Sequence, residues 1–128
     1  MSKNEQKVTK NEGLSWNDVA AELNSYLNML SVDLRIGVDG VVTEIKPKDE
    51  KEGYNIKEMY EMCNADTVEF IFLPADKILV VDERGALKRD KKINWDATKL
   101  VAPIILAQGG NPFIIFGNVM LIDRKNVQ

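Results

Sequence analysis

The segment 67–88, TVEFIFLPADKILVVDERGALK, decides the fold class because its apolar residues follow the pattern of β-strands. Apolar side chains alternate over 68–73, and a continuous apolar run fills 78–81 after the turn sequence PADK. Alternation predicts a half-buried strand, and a short continuous run predicts a strand covered on both faces. We therefore predict a hairpin here, followed by a tight turn at 83–85 and a short return strand at 86–88.

A helix and a second hairpin are predicted before this segment. Apolar residues recur at spacings of three and four over 16–30, and Ser15 with Asp18 resembles a capping box at the start of that helix. The sequence then alternates again, and Asp39-Gly40 between two alternating stretches predicts a two-residue type I′ turn. A charged loop at 46–53, KPKDEKEG, follows this hairpin.

Two further helices are predicted from their caps. Asn55 and Glu58 form a cap-like pair before a short helix over 56–63, and Asn64 is a suitable left-handed stop for it. Asn94 is a suitable N-cap for a helix that begins at Trp95.

The remaining elements follow from the sequence after Trp95. Pro103 should kink or split the third helix, and Gly109-Gly110 should end it. The final apolar run 113–122, FIIFGNVMLI, predicts a last strand that is interrupted at Gly117.

These elements together predict one α+β domain over 14–128, with a mostly antiparallel sheet and two or three packed helices. Within it, 14–45 would form the N-terminal helix and hairpin, and 46–124 the core. Residues 1–13 are polar, so we expect them to form a disordered tail.

Composition narrows the classes of function. The chain has 128 residues, a formal net charge of −3, one cysteine and no histidine. The missing histidine excludes Ser-His-Asp and Cys-His catalysis by this chain alone, and we expect Cys63 to be a buried, unreactive thiol. The sequence shows no signal-peptide pattern and no run near the roughly 20 apolar residues of a membrane span, so we expect a cytoplasmic protein.

Two polar clusters around the tight turn are candidates for chemistry. Asp82 and Glu83, with Asp96 from the third helix, could serve a weak metal-dependent hydrolase. Neighbouring strand residues point to opposite faces, however, which makes a shared ion difficult.

A basic run beside this acidic pair favours nucleic acid as an alternative partner. Its members are Lys88, Arg89, Lys91 and Lys92. The mild acidic net charge and the interrupting Asp90 make such an interface less favourable. We expect no catalytic residues, no cofactor and no metal in this chain.

The ordered motifs of 43–124 resemble a known family, the domain of unknown function numbered 3846, which occurs in phages, plasmids and integrated mobile elements of bacteria. The resemblance rests on the short helix, a strand containing Glu69, a strand that ends in the acidic turn with Gly85, the segment Asn94–Thr98, and the final strand with Gly117-Asn118. Where the family commonly has two glycines before the first of these strands, this chain has Asn64-Ala65-Asp66. No reaction or catalytic residue carries over from the family, but the resemblance implies a mobile-element origin.

The sequence therefore favours a small non-enzymatic accessory protein that binds a host or element-encoded protein, or a small ligand, with self-association left open. The residues expected at its binding site are Asp82, Glu83, Asn94, Trp95 and Thr98.

Overall fold

The computed structural model describes residues 15–128, in which three α-helices pack on one five-stranded antiparallel sheet. In chain order the elements are α1 (Trp16–Met29), β1 (Asp33–Ile36), β2 (Val42–Ile45), α2 (Ile56–Cys63), β3 (Val68–Leu73), β4 (Lys77–Asp82), α3 (Trp95–Ala107) and β5 (Val119–Asp123). The predicted single α+β domain is confirmed. The predicted disordered tail lies outside the described residues.

The sheet joins two hairpins through the last strand. Its order is β2-β1-β5-β4-β3, and every neighbouring pair is antiparallel. β5 lies in the centre, where Leu121 is opposite Leu34 of β1 on one side and Leu79 of β4 on the other. The outer strands β2 and β3 form the two edges.

Each face of the sheet has its own hydrophobic core. Side chains from α1 and α3 pack on one face around Leu27, Val101 and Leu121. On the other face α2 packs over β3, β4 and β5, around Met59, Val80 and Met120. The six residues of β4 are all buried because this strand is covered on both sides, as its continuous apolar run predicted.

The helix caps form as the sequence predicted. Ser15 and Asp18 make a reciprocal capping box at the start of α1, and Asn55 and Glu58 make another at the start of α2. Asn64 ends α2 in the left-handed conformation, with φ of 49°. These hydrogen bonds satisfy backbone groups that a helix end would otherwise leave without a partner.

The predicted type I′ turn at Asp39-Gly40 is wrong. The N–H of Gly40 donates to Gly37 O, the N–H of Gly37 donates to Val41 O, and only Gly40 of the pair has positive φ. This is a three-residue loop in which glycine takes the left-handed position. Two consecutive residues with positive φ occur instead at Ala75 (64°) and Asp76 (55°), in the β3–β4 hairpin.

Two other local predictions are changed by the structure. Gly85–Leu87 is a 3-10 turn, so the predicted return strand at 86–88 is wrong. Of the predicted kink or split of the third helix at Pro103, the split does not occur, because α3 continues through Pro103 to Ala107. The predicted interruption of the last apolar run at Gly117 is confirmed: positive φ at this residue (84°) turns the chain, and β5 begins only at Val119. Of the residues ahead of that turn, Phe116 forms an isolated bridge with Ile93. Within residues 15–128, no helix is long and apolar enough to cross a membrane.

Candidate functional site

The acidic and basic clusters that the sequence places side by side bind each other. The carboxylate of Asp82 is inaccessible to solvent and lies 2.8 Å from Lys88 Nζ and 3.2 Å from Lys91 Nζ. It also accepts a hydrogen bond of 3.0 Å from the N–H of Arg84. Burial alone would raise the pKa of Asp82, but these bonds outweigh it and the pKa lies below its usual value. Asp82 therefore anchors the loop that follows β4.

Lys91 extends this network to the end of α2. Its ammonium group donates to Cys63 O and Asn64 O, both at 2.8 Å, and the side chain is 9% exposed. A cation at a helix C-terminus satisfies the last carbonyls and complements the helix dipole. On the opposite face, Lys77 donates to Leu30 O at the end of α1 and to Asp123 Oδ2. On each face of the sheet, a lysine that is paired with an aspartate thus binds backbone carbonyl groups at the C-terminal end of one helix.

The three carboxylates considered for a metal are not brought together. Asp82 is buried in its ion pairs, whereas Glu83 and Asp96 are both exposed. Among residues 15–128 there is no group of three or more Asp, Glu or Cys side chains close enough to hold a metal ion. The described geometry therefore gives no support to the hydrolase hypothesis.

Asn94 and Thr98 connect α3 to the segment that precedes β5. Asn94 is fully buried, donates to Ile36 O (3.0 Å) and Gly117 O (2.9 Å), and accepts from the N–H of Ala97 (3.0 Å). Thr98 Oγ1 donates to Asn94 O and accepts from the N–H of Ile115. The side chains expected to contact a ligand are thus occupied by hydrogen bonds within the fold.

Trp95 remains exposed at the start of α3. The residues just before Trp95 run antiparallel to the segment that contains Ile114. Two contacts fix this arrangement: the Ile93–Phe116 bridge and the hydrogen bond from the N–H of Asn94 to Ile115 O. Trp95 and Ile114 are each about half exposed. Beside this segment, Asp82 and Glu83 line a cleft of about 210 Å³, which is small for an organic ligand.

A larger groove lies beside α2, where the sheet is not covered by a helix. Its volume is about 640 Å³, within the range of small-molecule sites. Arg35 of β1 is directly opposite Met120 of β5, so both side chains lie on the same face of the sheet. Met120 belongs to the core beneath α2, and the side chain of Arg35 therefore points to the face of the sheet on which α2 packs. We call this concavity the α2 groove, and its lining residues are Arg35, Lys46, Lys48, Glu58, Glu61, Met62, Asn64 and Asn118.

The charges of the α2 groove are unevenly compensated. Glu58 accepts from the backbone N–H groups of Asn55 and Lys48, and Glu61 lies 3.9 Å from Lys48. Within residues 15–128, no carboxylate lies within ion-pair distance of the Arg35 guanidinium. The groove therefore offers a half-buried arginine to an incoming anion.

Cys63 is the last residue of α2, and its buried thiol faces β4, where it donates to Val80 O. Burial raises the pKa of Cys63 to about 12, although the charges of Lys91 and Arg35 act in the opposite direction. A thiol with such a pKa is almost entirely protonated at neutral pH, and the thiolate is the nucleophilic form. The buried thiol expected from the sequence is confirmed.

No pattern in the sequence groups the residues of the α2 groove into one site. Arg35 occupies a polar position in a short alternating strand, where an exposed charge is the ordinary expectation. Only the register of β1 against β5, and the position of α2 over the other half of the sheet, make it part of a concave site. Comparison of the chain with protein-family models, curated proteins and solved structures finds no match.

Proposed function

We propose that this chain is a small non-enzymatic binding module whose α2 groove receives an anionic group of its ligand. The single observation that carries this proposal is Arg35, a half-buried arginine in a groove of about 640 Å³ with no carboxylate partner in residues 15–128. Arginine binds carboxylate and phosphate groups with two parallel hydrogen bonds. Asn118 and Asn64 line the same groove. The side-chain oxygen of Asn118 accepts from the N–H of Val38, so its NH₂ group is the part that would donate to a ligand.

A binding role also agrees with the way in which the other polar clusters are used. Asp82, Lys88 and Lys91 hold the loop after β4 to the sheet, and Asn94 holds α3 to β1 and the residues before β5. The α2 groove, by contrast, is accessible and charged. The motif order that resembles the domain of unknown function 3846 supports an accessory protein of a phage or mobile element acting in the cytoplasm.

The test is a titration of the ¹⁵N-labelled protein with inorganic phosphate and, separately, with acetate at constant ionic strength. We expect saturable shifts of the backbone amides of Arg35, Met62 and Asn118, and the stronger of the two anions identifies the preferred group. Arg35→Gln should abolish these shifts. The matched variant Arg89→Gln removes an exposed arginine outside the groove and should leave them unchanged. Shifts that do not saturate, or that survive Arg35→Gln, would refute an anion site at Arg35.

The nucleic-acid alternative makes a different prediction in a parallel experiment. Lys88 and Lys91 are paired with Asp82, which leaves Arg89 and Lys92 as the exposed cations of the basic run. A gel shift with single-stranded DNA at about 50 mM salt, lost in Arg89→Gln and retained in Arg35→Gln, would favour that alternative. Arg35→Gln is the disrupting variant in the anion titration and the control in the gel shift, and Arg89→Gln is the reverse. The same two variants therefore distinguish the anion site from the nucleic-acid alternative.

A further inference from the structure

The exposed edge of β2 has the features of a self-complementary interface. In an antiparallel pair, opposite residues alternate between pairs that are hydrogen-bonded to each other and pairs that are not. Gly37 and Val41 are a hydrogen-bonded pair, so the next one along the strands is Arg35 with Thr43. Ile36 and Val42, between them, are not hydrogen-bonded to each other, and Ile36 O accepts from Asn94 on the side away from β2. The N–H and C=O groups of Val42 and Glu44 therefore point outward from the sheet.

We infer that β2 pairs with β2 of a second copy of this chain, antiparallel and about a two-fold axis through Thr43. This register sets Val42 of each copy opposite Glu44 of the other, so their outward backbone groups form the bonded pairs. It also sets Val41 opposite Ile45 of the second copy. Val41 and Val42 are each about half exposed in one chain. The pairing gives Val41 the apolar neighbour Ile45 and sets Val42 beside the methylene groups of Glu44.

Charge complementarity at the ends of β2 identifies a second copy as the occupant. Asp39 and Asp96 lie where β2 begins, and the carboxylate of Asp96 is 3.7 Å from the position that a Cβ atom on residue 40 would occupy. Lys46 follows the other end of the strand. Pairing about Thr43 sets Lys46 of each copy opposite Gly40 of the other, beside these two carboxylates. The acidic end of one edge therefore meets the basic end of the other, twice.

The first experiment is sedimentation velocity over a concentration series, in which we expect a species of twice the chain mass. Val42→Pro should shift this species to the monomer. Because the N–H of Val42 points outward, proline removes only the intermolecular hydrogen bond, and the chain's own sheet loses none. Thr43→Lys is a second disrupting variant, since it places two ammonium groups directly opposite each other across the axis. Circular dichroism checks that both variants are folded.

The second experiment locates the axis by a disulfide. Thr43 of the two copies would be a non-bonded pair with Cα atoms about 4.5 Å apart, which is within the roughly 4.4–6.8 Å that disulfides span. Thr43→Cys should form a covalent dimer in oxidised glutathione. Glu69→Cys, at an exposed position on the opposite edge strand β3, should not. A wild-type protein that remains monomeric up to about 1 mM would overturn the inference. So would a dimer that persists in both disrupting variants, or one that is crosslinked through residue 69 and not through residue 43.

Discussion

Replacing Asp82 by asparagine tests whether this carboxylate is structural. The change keeps the shape of the side chain and removes its charge, while Lys91 stays buried with an exposed fraction of 9%. Removing one partner of a buried ion pair costs about 3–5 kcal/mol because the other charge is left uncompensated. Lys88 is 29% exposed and regains hydration. We therefore expect Asp82→Asn to lower the free energy of unfolding by about 3 kcal/mol, the lower end of that range.

The assay is urea unfolding followed by far-UV circular dichroism at pH 7. With a slope of about 2 kcal/mol per molar urea, the midpoint should fall by about 1.5 M. Asp66→Asn is the matched control, since Asp66 also pairs with Lys88 but its side chain is 77% exposed. An exposed pair of this kind contributes about 0–1 kcal/mol. Equal effects of the two substitutions would refute the structural role that we assign to Asp82.

The stability difference between wild type and Asp82→Asn should also depend on pH. The pKa of Asp82 in the folded protein lies below the ordinary value of 3.8, so the folded state favours its ionised form. The stabilisation is fully present above 3.8 and is lost as the pH falls through the folded-state pKa. The difference in unfolding free energy between wild type and Asp82→Asn should therefore be constant from neutral pH to about pH 5 and shrink below about pH 4. A difference that grows on acidification would contradict this.

Three further substitutions or treatments have defined outcomes. Asn94→Ala should lower the unfolding free energy by more than about 3 kcal/mol in the same urea assay, because it leaves Ile36 O, Gly117 O and the N–H of Ala97 without their partner. Ala75→Gly should raise the thermal midpoint, since it relieves a left-handed alanine whose strain is roughly 1 kcal/mol; an unchanged or lower midpoint would contradict this. Cys63 should react with a thiol reagent at pH 8 only after denaturation, and rapid labelling of the folded protein would contradict the burial and raised pKa of this thiol.

The sequence predicted the elements whose signals are local. The capping pairs before α1 and α2 act over three residues, and the continuous apolar run of β4 reports burial on both faces. Turn type was less predictable. Asp39-Gly40 has the composition of a type I′ turn, but the pairing of Gly37 with Val41 leaves three residues in the loop, and only glycine needs positive φ there.

The candidate site depended on long-range partners and was correspondingly less predictable. The sequence predicts Asp82 and the basic run as separate candidate binding groups, because their proximity along the chain does not reveal that they bind each other. Asn94 was recognised as a helix cap, but its donation to Ile36, 58 residues away, required the folded sheet. Arg35 becomes part of the α2 groove through the pairing of β1 with β5, and no local sequence motif predicts this pairing.

The central position of β5 has a consequence for folding on the ribosome. The β1–β2 and β3–β4 hairpins can form as they emerge, but β5 alone joins them, and it follows both in the chain. Until residues 119–123 have left the exit tunnel, β1 and β4 each present a bare edge that can pair with other nascent chains. The sheet can therefore be completed only after β5 has been synthesised and has left the exit tunnel. A stalled chain that ends before Val119 should engage chaperones, whereas one extended well past Asp123 should release them.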